Sequence, residues 1–479
     1  MSEKRIKPKK HFRWRFLFLG ILLFIIYEFI GVMAAYGRHP KVSEEYKESF
    51  DPESCYSDTP STDRARVIED NLDALNLRIR MINNAKERVI LSTYDFHSDR
   101  SGQDVMSTLI EAAKRGVKVQ IVVDGFSGFL EMDRNPYFFA LASQENVEIK
   151  IYNRLNVLKP WKTMGRLHDK YLIVDDNKYL MGGRNTFNIF LGDYGYKNYD
   201  REVMVYTDKV DENSSIHQVE AYFDSMWNLE NCKTFKDHSV FVKAKKTEEA
   251  EIQLKKHYDK LMADNPELKD DLDYESFTFE TDKITLLSNP IHVYAKEPTV
   301  FYALTELMKT TDGPVRIHTP YVICNNWMYD SYREVCENND QITMMTNSVA
   351  NNGNPFGASD YNKNRHKLLE TGLNIREYEG GVSYHGKSLT IGDELSVIGS
   401  FNMDMRSAYL DTELMLVIDS KEINAQLQDY MDHYESHSVG IHADGTYDIP
   451  EGVHRQELTK QKAILIKVLT ILNWLRFLM

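Results

Sequence analysis

One polar pattern occurs twice in this chain, some two hundred residues apart, and that recurrence constrains the fold more than any other feature. The first copy runs Gly165-Arg-Leu-His168-Asp-Lys170-Tyr-Leu-Ile-Val-Asp175 and continues to Gly182-Gly-Arg-Asn185. The second runs Ser383-Tyr-His385-Gly-Lys387 and continues to Gly399-Ser-Phe-Asn402. In both, the Asn follows the His by 17 positions. Half a site, repeated, calls for two equivalent units that bring the halves together.

The surrounding segments repeat in the same order. In the first half, Ala65 to Lys86 has helical periodicity, Val89 to Tyr94 reads as a strand, and Gly102 to Arg115 as an amphipathic helix ended at Gly116. Strands follow at Val117 and Val147. In the second half a helix over Pro298 to Thr310 precedes strands at Val315, Gln341 and Leu373. Each half closes on an apolar strand with acids at its start, Asp200-Arg-Glu202 and Asp411-Thr-Glu413. Alternating strands and helices predict an α/β class with a layered sheet in each half, the halves meeting across a pseudo-twofold.

At 479 residues the chain has room for two domains, and 42% hydrophobic residues suffice for real cores. The expected division is a basic flank and transmembrane anchor (1–36), a linker (37–62), an N-terminal domain (63–242), a charged helical connector (243–280), a C-terminal domain (281–440) and a tail (441–479). The net charge of −14 excludes the broad basic face of a nucleic-acid binder. Cys55, Cys232, Cys324 and Cys336 lack zinc-site spacing and read as buried thiols.

Lys4, Arg5, Lys7, Lys9, Lys10, Arg13 and Arg15 precede 21 residues, Phe16 to Tyr36, in which Glu28 is the single charge. A helix of that length spans a bilayer core of about 30 Å, and the basic flank keeps its start in the cytoplasm. A cleaved signal peptide is the competing reading, because Val32-Met-Ala34 resembles a cleavage site; the length of the apolar run favours an anchor. The stretch Lys460 to Met479 is apolar except for a stripe of Lys467, Thr470, Asn473 and Arg476. It reads as an amphipathic helix lying in the membrane interface, or else docked on the protein's own surface.

In a strand, His168 and Lys170 share one face, and an imidazole beside an ammonium suits a phosphate. A second pair, His385 and Lys387, completes a site in which one imidazole attacks and the other transfers a proton. Asn185 and Asn402 add amide donors, so the cradle needs neither metal nor cofactor. Glu202 and Glu413 fit as carboxylates orienting the imidazoles. Gly381-Val-Ser-Tyr-His-Gly-Lys-Ser388 also satisfies a nucleotide P-loop pattern. A P-loop requires a helix at that Lys-Ser, whereas the residues that follow read as strand and turn.

The two motifs resemble the HKD signature of the phospholipase D superfamily, over about residues 63–440. Further stretches, among them Tyr94-Asp-Phe-His, Ala112-Ala-Lys-Arg-Gly-Val, Thr346-Asn-Ser-Val and Gly399-Ser-Phe-Asn-Met-Asp-Met-Arg-Ser407, are most similar to bacterial cardiolipin synthases. The resemblance implies a duplicated phospholipase D-like fold, its two β-sheets mixed and flanked by helices, and a phosphohistidine intermediate on His168 or His385. It implies that Lys170, Lys387, Asn185 and Asn402 hold the phosphate, and that Asp175 is structural. The implied protein is a single-pass bacterial membrane enzyme with its catalytic domain outside the cytoplasm. It acts on phosphatidylglycerol, with phosphatidylethanolamine as a candidate second lipid, and not on nucleic acid. The second copy departs from the signature: Gly392 stands where the Asp is expected, with Asp393 next to it as a possible substitute. Rival readings are a hydrolytic phospholipase D, an HKD nuclease and an inactive membrane scaffold.

Overall fold

The structure is a computed structural model and describes residues 11–238 and 242–479. Lys4 to Lys10 of the basic flank therefore lie outside the described residues. Among those described, two nine-stranded mixed sheets carry the chain. In the first, Cys232–Thr234, Val147–Tyr152, Lys118–Asp124, Arg88–Thr93, Tyr171–Val174, Lys178–Gly182, Glu202–Thr207, Asp63–Ile68 and Phe279–Glu280 lie side by side. The second repeats this order from Ser438–Ile441 through Asn374–Tyr378, Ile342–Asn347, Val315–His318, Ser388–Ile391, Leu395–Gly399 and Leu414–Asp419 to Lys283–Ser288. It adds Tyr447–Asp448 at the opposite edge. In each sheet the crossover strands pair in parallel and the His-motif hairpin pairs antiparallel.

Strands buried on both faces need apolar residues throughout, as in Lys118–Asp124 and Leu414–Asp419. One core lies between the sheets and mixes side chains of both halves, including Val67, Ile90, Val203, Leu414 and Leu416. Two others pack each sheet against its outer helices. Ala65 to Lys86 is corrected by the structure: Asp63–Ile68 is a strand, and the helix occupies Asn71–Asn83, with Asp70 as its N-cap. The apolar spacing of Val67, Leu72 and Leu75 fits a helix, but pairing with Glu202–Thr207 claims the first residues.

Residues 37–62 are structured and fasten to the second half. Cys55 is buried there, Ser57 N donates to Asp419 at 2.8 Å, and Tyr36 Oη donates to Val293 O at 2.8 Å. The charged segment forms a helix, Ala244–Asp264, that rests Ala250, Leu254 and Met262 in the first-half core. All four cysteines are free thiols.

The N-terminal helix spans His11–Tyr36, and Trp14–Tyr36 is long and apolar enough to cross a membrane. The C-terminal helix, Lys460–Ile471, is docked on the second half. Most of the polar stripe points inward, Lys467 remaining exposed. Thr470 bonds Ser359, and in the turn that follows, Asn473–Leu478, Arg476 forks onto Asp360 at 2.8 and 2.9 Å and Asn473 bonds the same carboxylate. Ile464, Leu465, Val468 and Ile471 face outward.

Candidate active site

Both histidines stand immediately before the first strand of their hairpin, at the seam between halves. Two short parallel bridges make that seam, Leu167 with Thr412 and Tyr199 with Tyr384. His168 N donates to Thr412 Oγ1 at 3.1 Å and His385 N to Tyr199 O at 2.6 Å. Each imidazole is therefore set beside the acid-bearing segment of the opposite half. Glu413 Oε1 lies 2.8 Å from His168 Nδ1, and Asp200 Oδ2 lies 2.6 Å from His385 Nδ1. With both Nδ1 atoms facing carboxylates, Nε2 is the nitrogen that points to chemistry on each ring; on His385 the Lys387 ammonium also lies 2.7 Å from Nδ1 and 3.3 Å from Nε2.

The structure thus places Glu413 where the sequence predicts and moves the partner role in the other half from Glu202 to Asp200. Glu202 is drawn away by buried Arg78 at 2.5 Å, with Arg184 3.9 Å off. Two local differences account for the exchange. Phe401 occupies the position of Arg184, so Glu413 has no arginine to capture it there. Gly183 occupies the position of Ser400, and a side chain at Gly183 would collide with the Asp200 carboxylate. In the second half Ser400 and Ser407 each donate to Glu413, at 2.5 and 2.6 Å, and hold it toward His168. The signal for Asp200 was present in Asp200-Arg-Glu202; choosing between the acids required noticing Gly183.

Lys170 and Lys387 are buried, and each ammonium caps the carbonyl of its own histidine. Burial pushes Lys170 down to about 8 and Lys387 down to about 7, against the pull of the nearby carboxylates. Asn185 Oδ1 accepts from Asp95 N at 3.2 Å, which orients its Nδ2 as a donor. Asn402 is buried with Oδ1 lacking a partner among the described residues, although its Nδ2 contacts Ser407 Oγ at 3.4 Å. Turning that amide over exchanges donor and acceptor without moving the backbone.

The two imidazole–carboxylate pairs differ electrically. Glu413 is pushed well above the usual carboxylate range by burial, and His168 is pushed well below its ordinary value by burial and by Lys170. His168 therefore rests neutral. Asp200 is held at about 2: Lys387 and His385 outweigh its burial penalty. His385 is pushed down to about 4 by burial and Lys387, while ionised Asp200 opposes the shift. Ionised Asp200 is thus a pull toward a proton on His385 that His168 lacks, set against burial and Lys387, which keep the free ring neutral at neutral pH.

Aromatic rings surround the pair. Tyr94 meets His168 edge-on at 5.6 Å, Phe190 lies 4.8 Å from His385, and Phe187 stacks between His97 and Phe190. Leu191, grouped with these residues in the sequence, belongs to the first-half core instead. Asn347 holds the second motif in place, donating to Pro320 O and Tyr384 O and accepting from Tyr384 N. Arg406, missed from sequence, ties Asp411 at 2.9 Å to Met164 O, just ahead of His168.

Asp175 sits away from the imidazoles, with φ 52°. Its carboxylate gathers the amides of Lys86, Glu87 and Arg88. Gly392 has φ 60° at the equivalent turn, and its N–H bonds Pro314 O as Asp175 N bonds Arg88 O. Pro314 has no amide to satisfy, and Gly313 N is taken by Thr311 Oγ1 at 3.0 Å. The second half does without the Asp because its neighbours have removed the need, and the substitute acceptor is Thr311 rather than Asp393.

His168, Asp411 and Glu413 could each offer one metal ligand, their atoms lying within 4.8 Å of one another. Glu413 is already committed to Ser400, Ser407 and His168, and two lysines supply positive charge beside it. The P-loop pattern leads into a strand, Ser388–Ile391, and not into a helix.

Two equivalent sheets that complete each other's His-Lys-Asn half-site across a seam define a phospholipase D-type protein. More particularly, the family described as "Cardiolipin synthase, PLD-like domain" matches residues 78–227 and 304–434, and the chain belongs to it. Among proteins, the chain is similar to an uncharacterized protein of Helicobacter pylori (strain ATCC 700392 / 26695), 24% identical over 78% of this chain and 80% of that one. It is also similar to cardiolipin synthase C of Escherichia coli (strain K12), 24% identical over 76% of this chain and 82% of that one. Among solved structures, phosphatidylserine synthase from Haemophilus influenzae Rd KW20 shares the fold, with TM-score 0.63 and 14% identity over 91% of this chain and 100% of that one.

Proposed function

We propose that this protein is a membrane-anchored phosphatidyltransferase of the cardiolipin synthase type. It moves a phosphatidyl group from phosphatidylglycerol, or a similar phospholipid, to the hydroxyl of a second phospholipid. The observation that carries the reading is the unequal pair of imidazoles, one neutral beside Glu413 and one facing ionised Asp200. His168 Nε2 attacks the phosphorus of the donor lipid and forms the P–N bond as the P–O bond to glycerol breaks. His385, which takes up a proton against ionised Asp200 as the anionic phosphodiester of the donor lipid settles beside it, gives that Nε2 proton to the departing alkoxide. The acceptor hydroxyl then returns a proton to His385 as its oxygen attacks phosphorus, and the P–N bond breaks to free His168. Lys170, Lys387, Asn185 and Asn402 hold the phosphoryl oxygens throughout. Asp175 serves the turn and takes no part.

The anchor is the N-terminal helix, and the body lies outside the cytoplasm of a bacterial cell membrane. A labelling reagent that cannot cross membranes reaches the body in intact cells if this topology holds.

The purified chain, in liposomes with phosphatidylglycerol alone or with phosphatidylethanolamine, tests the function by mass spectrometry. Cardiolipin with release of glycerol is the expected product. Phosphatidic acid alone would replace the synthase with a hydrolytic phospholipase D. Phosphatidylserine from CDP-diacylglycerol and serine, with no product from phosphatidylglycerol, would move the chain to another transferase class. Turnover of single-stranded DNA alone would mean a nuclease, and no turnover at all an inactive scaffold.

A further inference from the structure

The N-terminal helix does not stand clear of the body. Tyr27 Oη donates to Leu158 O at 2.6 Å, Gly31 lies against Pro160 with no room for a side chain, and Phe29 meets Trp474 edge-on at 5.7 Å. The stretch Trp14 to Ile26, free of these contacts, is about 20 Å long at 1.5 Å per residue. A hydrocarbon core is about 30 Å thick. A spanning helix therefore has to draw on residues from Tyr27 onward, which are the residues docked on the body. Whatever touches Tyr27 and Phe29 lies at lipid depth with them.

What touches them is apolar and exposed. The loop holding Pro160 carries Val157, Leu158 (68% exposed) and Trp161. The C-terminal helix turns Ile464 (66%) and Ile471 (74%) outward, because most of the polar stripe is spent on Asp360 and Ser359. Next to the first loop, where Gly125 abuts Asn153, a third segment exposes Phe126, Phe129 (57%) and Leu130. Between loop and body, Lys159, Lys162 and Lys233 line a recess of about 180 Å³ together with Glu230 and with Arg154, which is paired with Asp133; the balance is basic on a chain of net charge −14. Solvated loops do not gather such side chains around a transmembrane helix; a headgroup interface does.

These segments also adjoin the site. Ser127 bonds Asp95, whose amide holds Asn185, and Asp95 pairs with His97, which stacks on Phe187. Lys462 of the C-terminal helix bonds Ala350 O and Asn352 O, in the loop that leads from Asn347. Arg406 joins Met164 O to Leu478 O.

We infer that the loops around Leu158 and Phe129 and the outward face of the C-terminal helix form a collar that inserts into an anionic phospholipid leaflet around the site mouth. Lipids then reach the histidines from within the leaflet. The inference rests on the anchor reading and extends it from one helix to the body.

The full chain, reconstituted in vesicles of phosphatidylglycerol and phosphatidylcholine, tests it. Environment-sensitive probes are placed on Leu158→Cys, Phe129→Cys and Ile464→Cys, with Ile21→Cys reporting the anchor and Lys245→Cys an exposed polar helix. The unsubstituted chain gives the labelling background. Blue-shifted emission, quenched by bromines on the lipid chains, is expected at the three collar positions and at Ile21, but not at Lys245. Quenching at Ile21 alone would overturn the collar and leave the anchor standing; no quenching at Ile21 would overturn the anchor. Shielding without lipid quenching at the collar would mark contact with a second copy and also overturn it. In turnover, Leu158→Asp with Ile464→Asp should raise KM for vesicle lipid at least ten-fold and leave short-chain monomeric lipid within two-fold. Equal loss on both substrates would overturn lipid entry through this face.

Discussion

Glu413 reaches His168 Nδ1 at 2.8 Å from the other half of the chain, and Asp200 does the same for His385 at 2.6 Å in the reverse direction. Neither half can orient its own histidine, so the duplication is a condition of the site. The chemistry also depends on the two partners being different acids in different environments.

Asp200→Asn therefore costs more than Glu413→Gln. Asp200 is ionised, held at about 2, and its loss leaves His385 with only forces that lower its proton affinity. The expected loss in kcat is about 10²-fold or more, within the range for general acid catalysis. The limb of the pH profile that reports protonated His385 shifts to lower pH. Burial pushes Glu413 well above the usual carboxylate range, so replacing it with neutral Gln removes less than at Asp200, and about ten-fold is expected. Steady-state rates on phosphatidylglycerol vesicles from pH 4 to 9 separate the two, and equal losses with unshifted limbs would contradict the assignment.

Glu202→Gln tests stability and not catalysis. Its carboxylate binds Arg78 at 2.5 Å with both groups buried. Breaking such a pair leaves a charge unpaired and costs about 3–5 kcal/mol. Thermal unfolding should move down strongly, while kcat per folded molecule stays within a few-fold. A pH-limb shift like that of Asp200→Asn would return Glu202 to the imidazole.

That pair marks the limit of what was legible in the chain. The succession of central strands along the chain, the duplication and the His, Lys and Asn positions follow from residue spacing, because burial imposes a period on strands and the repeat exposes equivalences. Which of Asp200 and Glu202 faces the ring does not, since it depends on Gly183 leaving space and on Arg78, from a distant helix, drawing Glu202 away. The strand at Asp63–Ile68 was hidden for a similar reason: its partner, Glu202–Thr207, lies far along the chain. The inward polar stripe of the C-terminal helix needed Asp360, which no local pattern connects to Arg476.

Gly392 and Asp175 are predicted to be unequal under exchange. Gly392→Asp places a side chain at φ 60° against Thr311 Oγ1, 3.2 Å away, with no amide waiting for the carboxylate. It should lower stability by about 1–2 kcal/mol, the cost of a left-handed residue, and leave turnover unchanged. Asp175→Gly relieves the same backbone strain but releases the amides of Lys86, Glu87 and Arg88, for a net loss of about 1–3 kcal/mol. Urea unfolding of both variants checks this, and a gain in activity from Gly392→Asp would show that the Asp matters to the second half-site.

Buried histidines should make acid weaken the fold well above the ordinary carboxylate range. His318 and His385 are pushed down to about 4, burial being the first cause in each; Glu435 faces His318 at 3.0 Å and Arg316 lies beside them. The unfolded chain protonates these rings near 6.5, the native chain only near 4. Between those values the unfolded state binds more protons, so stability falls as pH falls, by about 1.4 kcal/mol per pH unit for each ring. Above 6.5 both states are neutral and the effect vanishes. Asp200 and Glu435 are held at about 2, so their stabilisation is complete above the ordinary carboxylate range and is lost only as pH falls toward 2. His292, also pushed down to about 4, adds to the slope between pH 6.5 and 4. Asp404, pushed up to about 7, and Asp411, pushed up to about 6, bind protons more tightly in the native state and oppose it. The histidine share is therefore isolated by substitution. His318→Gln, which keeps a polar side chain opposite Glu435 but cannot titrate, should flatten that slope measurably in Tm against pH. An unchanged slope would mean that His318 is protonated in the native state across this window, held so by Glu435.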